Sequence, residues 1–153
     1  MIKEQKIHIK FRIINLQCGD SDENVLAELA EYSIKNDLAN DGYAEALISR
    51  ERQYPTGLNT TAYGIAIPHA DQEFTKEGSL VMAILDKPTL FKEMGTLNDV
   101  NVEVIFLLLV SEMENQVKVL KSIVELIQDD NKLKKLKGPE ALSLLEDEFK
   151  NLV

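Results

Sequence analysis

The chain of 153 residues has one cysteine, two histidines, four prolines, seven glycines and no tryptophan. A single thiol, Cys18, excludes a disulfide scaffold. His8 and His69 stand 61 positions apart, too far from each other and from clustered thiols to suggest a zinc site. So few prolines and glycines exclude a long disordered tract. The longest apolar run, Val104 to Val110, is seven residues, against the roughly 20 that a helix needs to cross a bilayer. Met1 to Lys10 alternates charges with isolated isoleucines and carries no run of signal-peptide length. The expectation is therefore a cytoplasmic protein with no segment inserted in a membrane. Neither G-x-x-x-x-G-K-[ST] nor G-x-G-x-x-G occurs, which disfavours nucleotide binding on a Gly-rich loop.

What is present is an excess of acid and many aliphatic side chains. Seventeen basic and 26 acidic residues give a formal charge of −9, which repels nucleic-acid phosphates and favours basic protein partners. The one basic cluster, Lys132, Lys134, Lys135 and Lys137, alternates with Leu133 and Leu136 and reads as the wet face of a short helix. At 44% hydrophobic, the chain supports one globular domain over residues 1–153, with no linker or internal repeat to divide it.

From Ile7 to Ile13 the odd positions are apolar and the even ones polar, the period of a half-buried strand; His8 falls on its solvated side. Asp20 followed by Glu23 resembles a capping box, opening a helix that runs to about Leu38. After Asn40-Asp41-Gly42, a second helix is expected from about Tyr43 to Gln53, and Tyr54-Pro55-Thr56-Gly57 fits a type I turn. Ala62 to Ile67, Ser79 to Leu85 and Val102 to Val110 read as strands, the last apolar on both faces and so suited to the middle of a covered sheet. Val117, Leu120, Ile123, Val124 and Ile127 recur on one helix face. Gly138-Pro139 starts a last helix, and Met82, Met94 and Met113 are simplest as core or loop residues. Strands interleaved with helices predict an α/β fold, a three-layer αβα sandwich around a central mixed β-sheet.

The informative segment is Gly64-Ile65-Ala66-Ile67-Pro68-His69-Ala70-Asp71. Pro68 fixes its own φ, lacks a donor and holds Ile67 extended, so the backbone at His69 is set. Ligands of open α/β sheets sit beyond the carboxyl ends of strands, where this imidazole would lie. An imidazole of ordinary pKa ~6.5 is about three-quarters neutral at pH 7 and needs no strong tuning to act as a nucleophile. Taken alone, a histidine after a strand is most often an ordinary surface residue. Arg50, in Ala46-Leu47-Ile48-Ser49-Arg50-Glu51, offers a permanently charged fork of donors to phosphate; without further context it reads as a surface residue paired with Glu51 or another acid.

Three separated motifs, A-L-I-S-R-E, P-T-G-L and G-I-A-I-P-H, together resemble enzyme IIA of the bacterial sugar phosphotransferase system, in the fructose–mannitol superfamily and nearest its galactitol-type members. The resemblance covers nearly the whole chain from the first helix to the last. It implies a phosphocarrier without cofactor or metal. Phosphoenolpyruvate charges enzyme I, then HPr; phospho-HPr would charge His69, which would pass the phosphoryl group to a cysteine of a IIB partner for uptake of a sugar or polyol. The resemblance also implies attack by Nε2, with Nδ1 held by nearby backbone. Arg50 would stabilise phosphate, and Thr56 could offer it a hydroxyl or be part of a plain turn. Asp71 is expected on an acidic rim. Mannitol-type members carry a second histidine where this sequence has Gln116, which can donate a hydrogen bond to phosphate but cannot carry a proton as a counter-charge. Cys18 lacks the motif of a IIB cysteine, so the acceptor thiol belongs to another chain. Membrane association would be indirect, through IIB and IIC, and a monomer is expected. Two other readings remain: a regulatory module whose phosphorylation state is sensed by a transcriptional or metabolic partner, and a degenerate scaffold that binds without phosphorylation.

Overall fold

The computed structural model describes residues 7–17 and 21–152. Its elements in chain order are β1 (Lys10–Leu16), α1 (Asp22–Lys35), α2 (Tyr43–Gln53), β2 (Gly57–Asn59), β3 (Gly64–Ala66), a 3-10 turn (Gln72–Phe74), β4 (Ser79–Lys92), β5 (Asp99–Leu109), α3 (Met113–Ile127), α4 (Asp130–Lys135) and α5 (Ala141–Glu148). The five strands form one sheet in the order β1-β4-β5-β3-β2. β1 runs parallel to β4 and β3 parallel to β5, while the β4–β5 and β2–β3 pairs are antiparallel. The sheet is therefore mixed, as expected.

Alternation along the central strands divides the core in two. Leu80 and Met82 of β4 and Val104, Phe106 and Leu108 of β5 pack with Val119 and Ile123 of α3, Leu133 of α4 and Leu145 of α5. Their neighbours Val81, Ala83, Ile105 and Leu107 point the other way, onto Val25, Leu26 and Leu29 of α1 and Tyr43 and Leu47 of α2. A strand buried on both faces must be apolar at every position, which is what Val104 to Val110 supplies. The result is the three-layer αβα sandwich.

Several boundaries differ from the sequence reading. Ile7 and Ile9 are buried and His8 exposed, yet β1 begins at Lys10, where pairing to Ser79 starts. The α1 N-cap is Ser21, whose hydroxyl accepts from Asn24 N; Asp20 of the expected capping box lies outside the described residues, as does Cys18. α1 stops at Lys35 rather than near Leu38. Asp37 takes φ 57°, and the Asp37 and Leu38 N–H groups return to Ile34 O and Ser33 O, the paired bonds of a Schellman ending. Tyr54 to Gly57 forms a bend instead of a type I turn, because Gly57 is already the first residue of β2, a strand the sequence reading lacks. β4 continues to Lys92, past Pro88, which falls where the register to β5 shifts between Ile84 and Thr89, the place in a sheet where a missing N–H does least harm. On α3 the buried residues are Val119, Ile123, Leu126 and Ile127, whereas Val117 is 60% exposed and Leu120 and Val124 are half-buried. The apolar stripe read from the sequence is thus the flank of the buried face rather than its centre. Leu133 and Leu136 are buried beneath the α4 lysines, as expected. Among the described residues, no helix is long and apolar enough to cross a membrane.

Two glycines answer local demands. Gly42 caps the start of α2 at φ 87°, a left-handed conformation that side chains resist. A Cβ on Gly64 would collide with the Asn101 carbonyl oxygen, so β3 can enter the sheet beside β5 only without one.

Candidate functional site

β3 is short, and the chain leaves it at Ile67-Pro68-His69 without leaving the side of β5. The Pro68 carbonyl accepts from Leu108 N at 3.2 Å, and His69 bridges to Leu108 near the carboxyl end of β5. Proline in this place holds the extended backbone and keeps its carbonyl as the bonding group. His69 is thereby fixed to the central strand of the molecule.

Its ring is oriented as well. His69 Nδ1 lies 3.0 Å from Ile67 O; a carbonyl only accepts, so Nδ1 carries the hydrogen and Nε2 keeps its lone pair. Burial pushes the imidazole pKa below its ordinary value; the Ile67 carbonyl opposes that shift and the nearby Arg50 charge adds to it. The sequence reading supposed an unshifted imidazole. In the structure the neutral, nucleophilic form is favoured further.

Arg50 sits in the last turn of α2. Its guanidinium carbon is 4.6 Å from the centroid of the Tyr54 ring, and Nη1 is 4.0 Å from Asp71 Oδ1, with the Asp71 side chain 70% exposed. Of the acids that a surface Arg50 could meet, it is Asp71 and not Glu51 that lies beside it, Glu51 being bonded to Thr56. Arg50 Nε is buried with no hydrogen-bond partner. Gln116, in the first turns of α3, accepts through Oε1 from Gln72 Nε2 at 3.3 Å, while its own Nε2 is buried and unpartnered. Among the described residues three buried side-chain polar atoms lack a partner, the third being Tyr43 Oη. Two of the three are therefore donors on residues singled out for phosphate, and buried unsatisfied donors are costly enough to call for a reason. Both suit an acceptor-rich anion.

Thr56 differs from its expected role. It is 5% exposed, its hydroxyl donates to Glu51 Oε1 at 2.7 Å, and the same oxygen accepts from Ile67 N at 3.1 Å. A hydroxyl has one hydrogen to give, so Thr56 is committed to the backbone behind His69 and has none for phosphate. Glu51, which the sequence reading treated only as a neighbour of Arg50, is 5% exposed and also accepts from Thr56 N at 2.7 Å. Its position was signalled by spacing: Tyr43, Leu47 and Glu51 follow at i, i+4, i+8, and all three are buried. Gln72 carried no signal in the sequence.

His8, exposed just before β1, takes no part in this arrangement. The site thus gathers Arg50 and Asp71 around the His69 segment, Thr56 and Glu51 behind it, and the Gln72–Gln116 pair where α3 begins.

Comparison with known proteins gives the chain a family. The family described as "Phosphoenolpyruvate-dependent sugar phosphotransferase system, EIIA 2" matches residues 7–146. The galactitol-specific EIIA component of Escherichia coli (strain K12) is 27% identical over 104 residues, spanning 68% of this chain and 69% of that protein. In fold, the chain is similar to enzyme IIA of Escherichia coli in its complex with phosphorylated mannitol enzyme IIB, with a TM-score of 0.69 at 17% identity over 93% of this chain and 99% of that one. It is also similar to the nitrogen regulatory protein IIA-Ntr of Neisseria meningitidis, with a TM-score of 0.64 at 18% identity over 93% and 92% of the two chains. With the family matched over nearly its whole length and the fold shared with IIA domains, the chain belongs to the type 2 EIIA family and is a phosphocarrier component of a phosphoenolpyruvate-dependent sugar phosphotransferase system.

Proposed function

We propose that His69 is the phosphoryl acceptor, charged by phospho-HPr and discharged to a cysteine of a IIB partner, in uptake of a sugar or polyol of the galactitol kind. The observation that carries this reading is the bond from His69 Nδ1 to Ile67 O, which leaves Nε2 as the ring's only free lone pair. In the first transfer that pair forms a bond to phosphorus as the phosphorus–nitrogen bond of phospho-HPr breaks, and the electrons of that bond return to the HPr imidazole. The Nδ1 proton stays, so the charged ring and the phosphoryl oxygens offset one another. In the second transfer the IIB thiolate forms the new bond to phosphorus, and the pair returns to His69 Nε2.

Phosphoryl transfer asks a protein mainly for in-line positioning and for donors that meet the equatorial oxygens. Arg50 supplies charge and Gln116 a neutral donor. Asp71, exposed and 4.0 Å from Arg50, keeps the guanidinium near the site and adds to an acidic rim that suits basic HPr. The galactitol-specific relative supports the substrate class, and the IIA–IIB complex among the structural relatives supports the acceptor. On this reading the chain works in the cytoplasm as a single-domain monomer and meets the membrane only through IIB and IIC.

The test is intact-protein mass spectrometry at mildly alkaline pH after incubation with phosphoenolpyruvate, enzyme I and HPr. One acid-labile phosphoryl adduct is expected on the wild type and none on His69→Ala. No adduct on the wild type, with relay proteins that phosphorylate another IIA, would overturn the reading.

A further inference from the structure

Behind His69 a run of hydrogen bonds, joined through the backbone of Ile67, ends on a buried carboxyl group. Glu51 Oε2 accepts from Thr56 N and Oε1 from the Thr56 hydroxyl, each at 2.7 Å. Thr56 Oγ1 accepts from Ile67 N at 3.1 Å, and Ile67 O meets His69 Nδ1 at 3.0 Å. Glu51 and Thr56 are 5% exposed and Ile67 is fully buried, so water does not compete for these groups. Ile67 stands just beyond β3, where the ladder to β2 ends with Gly57 opposite Ala66. The Thr56 hydroxyl serves its N–H in place of a strand.

The polarity of the run matters as much as its length. Thr56 has one hydroxyl hydrogen, and only an acceptor on the far side draws that hydrogen away from Ile67. A carboxylate oxygen is such an acceptor; an amide nitrogen is not. With the hydrogen drawn toward Glu51, the Thr56 lone pairs face Ile67 N, and the Ile67 carbonyl is aimed at the imidazole. We propose that Glu51 is a positioning residue for the reaction at His69, acting through Thr56 and Ile67 to hold the imidazole in the tautomer that presents Nε2. This rests on His69 being the phosphoryl acceptor, although the effect on the ring does not.

This polarity holds where the carboxyl is ionised, on the alkaline side of neutral. Burial pushes the Glu51 carboxyl up to about 7, helped by the Asp22 charge at the start of α1 and opposed by the two Thr56 donors. A structural carboxylate with no other duty is an expensive tenant for such a site, since burying a polar group gains little over an apolar one of the same shape. The nearby Arg52 does not neutralise it, being paired with Glu23.

The experiment reads the ring directly. Nitrogen-15 NMR of the unphosphorylated protein at mildly alkaline pH should show His69 of the wild type with its hydrogen on Nδ1. In Glu51→Gln and in Thr56→Val the two tautomers should mix, and single-turnover transfer from phospho-HPr should slow about tenfold without a matching change in the concentration of HPr that half-saturates it. Thr56→Ser, which returns the hydroxyl, should recover both signals relative to Thr56→Val. If both folded variants keep the wild-type ring signals, the proposal fails, whatever their transfer rates. If the wild type shows the Nδ1–H ring and the variants disturb it but His69 takes up no phosphoryl group, the carrier reading fails and the hold of Glu51 on the ring stands. Should Glu51→Gln not fold, the Thr56→Val and Thr56→Ser pair decides the matter alone.

Discussion

The two flanks of His69 are built to opposite standards. On the α2 flank, Glu51 and Thr56 are buried and bonded to each other and to Ile67, so the backbone behind the imidazole has little freedom. On the α3 flank, the N-cap Glu112 makes no side-chain cap, Gln116 holds Gln72 by a single 3.3 Å bond, and Met113 and Val117 are 67% and 60% exposed. Residues four apart share a helix face, so these two make an apolar surface just beside Gln116. The contrast teaches a division of labour. On the proposed relay His69 needs fixed geometry, whereas a surface that fits a donor and then an acceptor gains from side chains that adapt.

Arg50 carries the largest expected effect. Arg50→Ala should slow single-turnover transfer from phospho-HPr by about 10²- to 10³-fold, the usual cost of losing a preorganised charged donor, and Arg50→Lys should recover little of it. An effect under about fivefold would move the burden to the other flank.

Next comes the pH dependence of stability. The Glu51 carboxyl lies at about 7 when folded, above its ordinary 4.5, so its contribution is fully present below about 4.5 and is lost as pH rises through about 7. As pH rises from about 5 to about 8, the stability of Glu51→Gln relative to wild type should climb, by at most about 3 kcal/mol across that window, read as urea midpoints. His69 has the opposite sign: its lowered pKa gives a contribution present above about 6.5 and lost as pH falls. His69→Ala should therefore flatten the acid side of the same profile. A variant profile parallel to wild type would deny the α2 flank its buried carboxyl.

Smaller effects belong to the α3 flank. Gln116→Ala should slow transfer by about fivefold, as fits one neutral hydrogen bond of ~1 kcal/mol. Val117→Ser should leave stability within about 0.5 kcal/mol of wild type, because an exposed side chain gives up little on replacement. A large stability loss in a urea titration would show that this flank is as tightly built as the other.

Much of this architecture is legible in the sequence, and the rest is hidden for reasons that can be named. The bounds of α2 are marked on both sides, by Asn40-Asp41-Gly42 before it and Pro55 after it, and the helix runs Tyr43–Gln53 as read. The placement of Pro68 and His69 after a strand follows from the apolar run and the proline. β2 escapes because Gly57, Leu58 and Asn59 have no alternation long enough to notice and become a strand only by pairing with β3. The early end of α1 escapes because Asp37, rather than glycine, takes the left-handed position. The role of Thr56 stays open in the sequence for a deeper reason. Whether a hydroxyl faces solvent or backbone is settled by which acceptor lies behind it, and Glu51 comes to lie there only once α2 is packed.

The lowered basicity of His69 has a further side on the proposed relay. A ring that binds a proton weakly also releases a bound electrophile readily, since it departs more easily as a neutral, weakly basic group. The burial that keeps the ring uncharged for attack would then keep the phosphorylated form high in transfer potential, so that the group is lent rather than stored, and the direction of flow is left to the two proteins on either side.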